Sequence, residues 1–330
     1  MGPLEYIYFA GLSVKRYFSI NNRRRLPFRV ISIGNITAGG TGKTPAAIAI
    51  AEEAKRRGLM PVILTRGYKG TAKGPCFVSK GSGPLLTAQE AGDEPYLMSV
   101  SLDGVPIVKS ADRYRGGIFA IRELGLQDPS TTLFILDDGF QHWKLFRDRD
   151  ILLINAENPF GSRMLLPVGR LREPLKELCR ADVIVITKSS REDMGLISEI
   201  RKYNSRAPIF FAGHKTASLR TSSGEAKPLE WLQGKKIYGF CGLAEPEAFR
   251  QTLISLGADI RGFRAFADHH GFSGEELHQL KEESRRSGAD ILTTTAKDMA
   301  RLSSLDLPEN ILIIEIKFIA DVPFFESIFA

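Results

Sequence analysis

Cysteine is scarce. The chain has three in 330 residues, Cys76, Cys179 and Cys241, far apart and without a Cys-x-x-Cys pair. That excludes a disulfide framework and fits a reduced, cytosolic setting. No apolar run reaches about 18 residues, so no segment reads as a transmembrane helix. A collagen-like glycine period, a long low-complexity tract and an internal repeat of fixed period are all missing, which excludes fibrous and repeat architectures. What remains is ordinary globular composition, 43% hydrophobic and 25% charged, which rules out wholesale disorder. The length suggests two domains at roughly 150 residues each, with a sizeable core and no need of staples. The formal charge of +7 suggests an acidic partner such as nucleic acid, anionic lipid or a phosphorylated substrate, without choosing among them.

Residues 1–25 stand apart from the rest. Leu4, Ile7, Gly11, Val14 and Phe18 recur at helical spacing, with Tyr6, Phe9 and Tyr17 beside them. Lys15, Arg16 and the run Arg23-Arg24-Arg25 follow, an order opposite to that of a signal peptide. Such a helix can lie in a membrane interface, or it can pack on the first domain's core. From Val30 onward, short apolar runs (Val30–Ile33, Val62–Leu64, Leu133–Leu136, Ile151–Ile154, Val183–Ile186, Ile209–Phe211) alternate with helical patterns. Continuous apolar strands between helices predict an α/β fold with a parallel sheet covered on both faces. A polar, loop-like stretch at 213–234 divides a domain at 26–212 from a smaller α/β domain at 235–330, where the alternation resumes.

The strongest motif is Thr37-Ala38-Gly39-Gly40-Thr41-Gly42-Lys43-Thr44, between a predicted strand and a predicted helix. This is the setting of a Walker A phosphate loop, in which backbone N–H groups and the helix N-terminus cradle phosphates. Lys43 would reach the β- and γ-phosphates and Thr44 would ligate Mg²⁺. The first glycine of the usual pattern is Thr37 here. An apolar strand ending in Asp137-Asp138 gives the Walker B arrangement, an acidic pair at the sheet edge beside the metal. After the strand Val183–Ile186, Thr187-Lys188-Ser189-Ser190 resembles the guanine-reading Asn/Thr-Lys-x-Asp sequence, but Ser190 replaces its aspartate, which favours ATP over GTP.

Three further groups carry two readings each. Asp93, in Gly92-Asp93-Glu94-Pro95, is either a helix cap or a general base or metal contact. Asp268-His269-His270 is either a solvated turn or a carboxylate-oriented histidine for proton transfer; no Cys or His partner stands at metal-ligand spacing. Arginines in Thr65-Arg66-Gly67-Tyr68, Ala111-Asp112-Arg113 and Gly169-Arg170-Leu171-Arg172-Glu173-Pro174 are either structural ion pairs or phosphate clamps.

Taken in order, these blocks, with Gly34-Asn35-Ile36 before the loop, Gly139-Phe140-Gln141-His142 after the acidic pair and Thr295-Ala296-Lys297-Asp298 near the end, resemble the tetraacyldisaccharide 4'-kinase family of Gram-negative bacteria. The resemblance spans about Leu4 to Ile316, and Thr37 is usual within it. It implies a P-loop NTPase-like α/β/α sandwich joined by a short strand linker to a second, smaller α/β domain, with the active site in the cleft. It implies ATP and Mg²⁺, transfer of the γ-phosphoryl to the 4'-hydroxyl of a tetraacylated glucosamine disaccharide 1-phosphate, and peripheral attachment to the anionic cytoplasmic face of the inner membrane. By position, Lys43 and the loop Thr37–Thr44 match phosphate binding. Thr44, Asp137 and Asp138 match the metal site, Asp93 the base, and His269 its partner from the second domain. Arg172 matches a catalytic arginine; Arg66, Glu94, Arg113, Gln141, Glu173 and Asp268 match positions around the site.

Two other classes fit parts of the pattern. A soluble small-molecule P-loop kinase explains the nucleotide motifs but not the N-terminal segment. A P-loop ATPase switch acting on nucleic acid would use the basic charge, but the basic residues are scattered and no aromatic-interleaved basic face is evident. The sequence therefore points away from nucleic acid, and nothing in it calls for an obligate protein partner.

Overall fold

The computed structural model describes residues 2–189, 193–303 and 305–329. Its strands, in chain order, are β1 (Arg29–Gly34), β2 (Met60–Thr65), β3 (Cys76–Lys80), β4 (Pro106–Lys109), β5 (Thr132–Leu136), β6 (Arg149–Asn155), β7 (Val183–Thr187), β8 (Ile209–Thr221), β9 (Ala226–Lys227), β10 (Lys236–Cys241), β11 (Asp259–Ala265), β12 (Ile291–Thr295) and β13 (Ile311–Ala320). The helices are α1 (Pro3–Asn21), α2 (Lys43–Arg56), α3 (Ala88–Ala91), α4 (Asp93–Ser101), α5 (Arg113–Leu124), α6 (Met194–Arg201), α7 (Pro246–Ser255), α8 (Gly274–Arg286), α9 (Ala296–Leu302) and α10 (Val322–Phe329). The strands form one sheet in the order β11-β10-β12-β13-β8-β7-β6-β1-β5-β2-β4-β3, with β9 on β8. Pairing is parallel except for β3 with β4 and for β8 with β9 and β13.

Alternation along buried strands sorts the core by face. In β1, Ile31 and Ile33 face α2, whose Ala46, Ala47, Ile50, Ala51 and Ala54 form a stripe of mostly small residues that lets helix and sheet approach closely. Val30 points the other way, into a cluster with Leu26, Val62, Leu64 and Phe134. The second half repeats the three layers. Tyr238, Phe240 and Leu292 pack with Leu277 and Leu280 of α8, while Ile237 and Cys241 pack with Phe249 and Leu253 of α7. The mixed α/β sheet is covered on both faces, as the apolar runs predict, and is the P-loop NTPase-like architecture that the family resemblance implies.

At 213–234 the structure differs from the expected loop. β8 runs through to Thr221, pairing with β7 over Ile209–Ala212 and with β13 beyond. Its polar side chains reflect a ribbon exposed along part of its length rather than a loop. β13 leads back along this ribbon, and α10 then packs on the first half. Phe324 and Ile328 are fully buried in the cluster that holds Ile31 and Ala47, with Phe324 against Phe210 and Phe318. The terminal helix of the expected 235–330 unit thus belongs with the first half. A lone apolar run does not say which body it covers.

The loops after β1, β2, β4, β5, β6 and β7 all leave the carboxyl edge of the parallel sheet, where ligands of such sheets bind.

Candidate active site

β1 ends at Gly34, where a Cβ would stand 2.6 Å from Cβ of Phe140, so only glycine lets the two loops meet. Asn35 is buried and donates from Nδ2 to the Thr37 carbonyl at 2.7 Å. Gly39 and Gly42 have φ of 121° and 82°, which admits the turn into α2. The segment 170–172 straps this loop in place. Ala38 N–H donates to the Arg170 carbonyl at 2.7 Å, Arg170 Nε to the Ala38 carbonyl at 3.1 Å, and Arg172 N–H to the Ile36 carbonyl at 2.7 Å. Among the described residues the N–H groups of Gly39, Gly40 and Thr41 find no protein acceptor. With the N-terminus of α2 behind them, they form an anion cradle.

Lys43 opens α2, its Nζ 3.3 Å from Asn35 Oδ1 and 3.6 Å from Asp138 Oδ1. Thr44, next to it, is buried. Asp137 and Asp138 follow β5 and have different surroundings. Asp137 is buried; its Oδ2 accepts from Thr65 Oγ1 at 3.0 Å and its Oδ1 has no hydrogen-bond partner among the described residues. Burial, with the charges of Glu94 and Asp138 nearby, pushes its carboxyl up. Asp138 has the left-handed φ of 47° and receives Arg172 Nη1 on both oxygens, at 3.0 and 2.9 Å. Burial acts to raise its carboxyl, but Lys43 and Arg172 prevail and hold it below the usual range.

The donor set suits a magnesium ion. The described residues contain no group of three or more His, Cys, Asp and Glu side chains arranged for a metal, so no all-protein cage exists. Mg²⁺ does not require one, since it keeps waters and phosphate oxygens beside one or two carboxylates. Asp137 Oδ1, buried and unpartnered, is the observation that fits a cation.

A hydrogen-bonded wall supports the phosphate loop. Gln141 Nε2 donates to the Asn35 carbonyl at 2.8 Å and to Glu173 Oε1 at 2.7 Å. Glu173, 1% exposed, also pairs with Arg180, yet burial still raises its carboxyl. Tyr8 of α1 donates its hydroxyl to the Arg172 carbonyl at 3.0 Å, which ties the N-terminal helix to the site. Arg113, at the start of α5, is buried with its Nε unpartnered among the described residues; burial pulls its guanidinium down to about 10 despite Asp137 and Asp138. Glu94 is half-buried on α4. Arg66 is exposed at the end of β2 and makes no ion pair with the other site residues, though its charge is felt at Arg113.

The second half closes the site. Asp93 begins α4, but Gly92 is the N-cap and no side chain caps this helix, so the cap reading of Asp93 is overturned. Its carboxylate turns across the cleft instead. Oδ2 lies 3.0 Å from His269 Nδ1 and accepts from Arg301 Nε at 2.8 Å. Burial works to raise this carboxyl; the bonds from His269 and Arg301 outweigh it and hold the group below its ordinary value. His269 has a φ of 62°, a strained backbone of the kind that accompanies functional placement. Asp268 is exposed, 3.8 Å from His269 Nε2 and 3.3 Å from Lys297. His270 turns away to Glu276 and stacks on Phe266, a structural role.

Two contacts were not read from the sequence. Arg301 reaches Asp93 from α9, and Lys188 joins Glu157 to Glu245 across the two halves. Lys188 stood beside the guanine-reading comparison, whose deciding Ser190 lies outside the described residues.

The fold and this edge define a P-loop phosphotransferase: an anion cradle, a lysine and an acidic pair, with a carboxylate–histidine pair beside Glu94, whose charge is felt at Asp137. Comparison with known proteins narrows the class. The family model described as tetraacyldisaccharide-1-P 4'-kinase matches residues 1–329. The tetraacyldisaccharide 4'-kinase of Syntrophus aciditrophicus is 40% identical over 310 residues, covering 89% of this chain and 81% of that protein. That of Halothermothrix orenii is 37% identical over 299 residues, covering 86% and 76%. Among solved structures, LpxK from Aquifex aeolicus in complex with ATP superposes with a TM-score of 0.78 at 33% identity, covering 99% of this chain and 96% of that one. The chain belongs to the tetraacyldisaccharide-1-P 4'-kinase family, and it is a kinase.

Proposed function

We propose that this chain transfers the γ-phosphoryl group of ATP to the 4'-hydroxyl of a tetraacylated glucosamine disaccharide 1-phosphate. The supporting observation is the Asp93–His269 pair: Gly92, just before Asp93, lies against the loop after β2, and the charge of Glu94, just after it, is felt at Asp137. A cradle alone serves any nucleotide enzyme; a carboxylate held opposite it serves a hydroxyl acceptor. Asp93 takes the hydroxyl proton as the new O–P bond forms and the bond to ADP breaks. Lys43 and Arg172 offset the charge on the phosphates, and Arg113 adds positive charge behind them. Thr44, Asp137 and Asp138 would hold Mg²⁺, which supplies positive charge to the β- and γ-phosphate oxygens when bound. Gln141 and Glu173 keep the loop in shape; Glu94, Arg66 and Asp268 tune charge around it. We take β8 and β13 as the hinge ribbon between a nucleotide half and a closing half.

The full chain, supplied with γ-labelled ATP, Mg²⁺ and the tetraacyl disaccharide 1-phosphate in mixed micelles, should move label to the lipid. Label appearing only as free phosphate, unaffected by the lipid, would replace the kinase reading with an ATPase one.

The site of action is also proposed: the cytoplasmic face of the inner membrane, held peripherally by α1. No helix among the described residues is long and apolar enough to cross a membrane. Yet α1 is inverted. Glu5 and Ser19 are buried, while Leu4, Tyr6, Ile7, Val14, Tyr17 and Phe18 stand 57–71% exposed. Glu5 binds the Leu165 N–H at 2.9 Å, Arg16 pairs with Glu177, and Tyr8 and Phe9 pack against the core, so a mixed face docks the helix while a second apolar stripe faces outward. Deleting the helix would therefore disturb the loop that carries Arg172. Replacing Ile7 and Phe18 together with glutamate leaves the docking face untouched. That variant should keep its melting temperature and lose flotation with anionic vesicles. Undiminished flotation would move the membrane contact elsewhere.

A further inference from the structure

We propose that Arg301 is a positioning residue for phosphoryl transfer, holding the Asp93 carboxylate and the His269 ring in their working arrangement from the far side of the cleft. The assignment rests on the reading of Asp93 as the base. It is carried by the placement of one side chain. Arg301 lies on α9 with its side chain 4% exposed, and its guanidinium is shared among four groups. Nε donates to Asp93 Oδ2 at 2.8 Å, Nη1 to the Gly242 carbonyl and to Asp298 Oδ1, each at 2.9 Å, and Nη2 lies 3.2 Å from His269 Nδ1.

The inner two contacts fix the group. Asp298 has no exposed surface, and it also accepts from Thr295 Oγ1 at 2.7 Å and from the Gly242 N–H at 3.1 Å. Arg301 and Asp298 thus neutralise each other inside the second half, where every bond of the carboxylate is made. The needs of α9 are met by these contacts. The Nε and Nη2 edges are left to reach a residue 208 positions earlier in the chain and a histidine on another loop. A lysine could supply the charge but not this fork.

The outer two contacts bear on chemistry. A guanidinium only donates, so when Nη2 bonds His269 Nδ1 that nitrogen accepts and the neutral ring carries its proton on Nε2. When Nδ1 bonds Asp93, it donates. Both demands fall on one ring nitrogen, and Arg301 sets the balance between them. The bonds to Asp93 also both fall on Oδ2, which leaves Oδ1 without a partner among the described residues and available to a substrate hydroxyl. Because Asp93 belongs to the first half and Arg301 to the second, the arrangement is complete only when the halves are closed.

The test uses the full-length chain and its Arg301→Gln and Arg301→Lys variants, alone and combined with Asp93→Asn. The titratable and charged groups around Asp93 are His269 and Arg301 across the cleft, Asp268 and Lys297 behind His269, Asp298 behind Arg301, and Glu94 on its own helix. Loss of the guanidinium removes one of the two bonds that favour the ionised carboxylate, so the acid limb of the kcat profile should move to higher pH. In both variants kcat should fall about 10- to 100-fold, the loss that misplacing a reacting group brings, while KM for ATP stays within about twofold. Asp93→Asn should cost far less in the Arg301→Gln background than in the parent. An unchanged kcat and acid limb, with Asp93→Asn inactive, would overturn the assignment of Arg301 and leave the base standing. Parallel losses of melting temperature, ATP affinity and kcat, with the pH profile unmoved, would reduce Arg301 to a structural ion pair. Full activity in Asp93→Asn would remove the base itself and the assignment with it. If Arg301→Gln does not fold, Arg301→Lys decides by the same readouts.

Discussion

Lys43→Ala is expected to lower phosphoryl transfer by at least about a hundredfold, the usual cost of removing one preorganised charge from a transition state. The reason lies in what Lys43 touches. Its ammonium is 3.3 Å from Asn35 Oδ1 and 3.6 Å from Asp138, with no apolar packing role at its tip. Asp138 keeps both bonds from Arg172 when Lys43 is gone, and the buried Asp137, whose carboxyl already stands high, takes a proton more readily instead of standing as an unpaired charge. The loop is shaped by Gly34, Asn35 and the 170–172 strap rather than by the lysine. Melting temperature should therefore hold while turnover collapses. Lys43→Arg should not rescue, because a planar fork does not fill the place of a compact ammonium in a tight cradle. Turnover of the alanine variant within about fivefold of the parent would withdraw Lys43 from phosphate binding.

The legible parts of this molecule were those in which local sequence and global fold agree. β1, β2, β5, β6 and β7 are buried on both faces and so read as apolar runs, interrupted in β1 by Ser32 alone. The phosphate loop was visible because an anion cradle has few solutions, and all need glycine and a helix start. β4 was missed, since four residues beginning with proline carry no period. α10 was missed because its burial depends on β13 turning back, a matter of topology. The spacing of α1 gave its apolar face but not its direction: only the structure shows Glu5 facing inward and Ile7 outward. In the site, Lys43, Asp137 and Asp138 follow from strand ends alone. Asp93 carried a helix-cap alternative that geometry removed, since Gly92 caps α4. Arg301 had no signal beyond its chain neighbours, because a residue that acts across 208 positions is silent in any local window.

Asp93→Asn is expected to reduce kcat by about 10²- to 10⁴-fold, the range that a positioned base supplies, with little change in melting temperature. Asparagine retains an acceptor oxygen for Arg301, so the contact between the halves survives while the proton acceptor is lost. His269→Ala should cost less, because the ring supports the carboxylate rather than receiving the substrate's proton. It should also shift the acid limb. Burial tends to raise the Asp93 carboxyl, and the bonds from His269 and Arg301 hold it down. In the parent, activity therefore falls off below the ordinary carboxylate range, as Asp93 takes up a proton. Without His269 the carboxyl rises and the fall begins at higher pH. The double variant settles whether the pair is one device. If His269 acts through Asp93, removing the ring after the carboxylate costs little more, and the double variant matches Asp93→Asn within a few-fold. Losses that multiply instead would show the histidine meeting the substrate on its own account, with Asp93 and His269 as separate contributors on the two sides of the cleft.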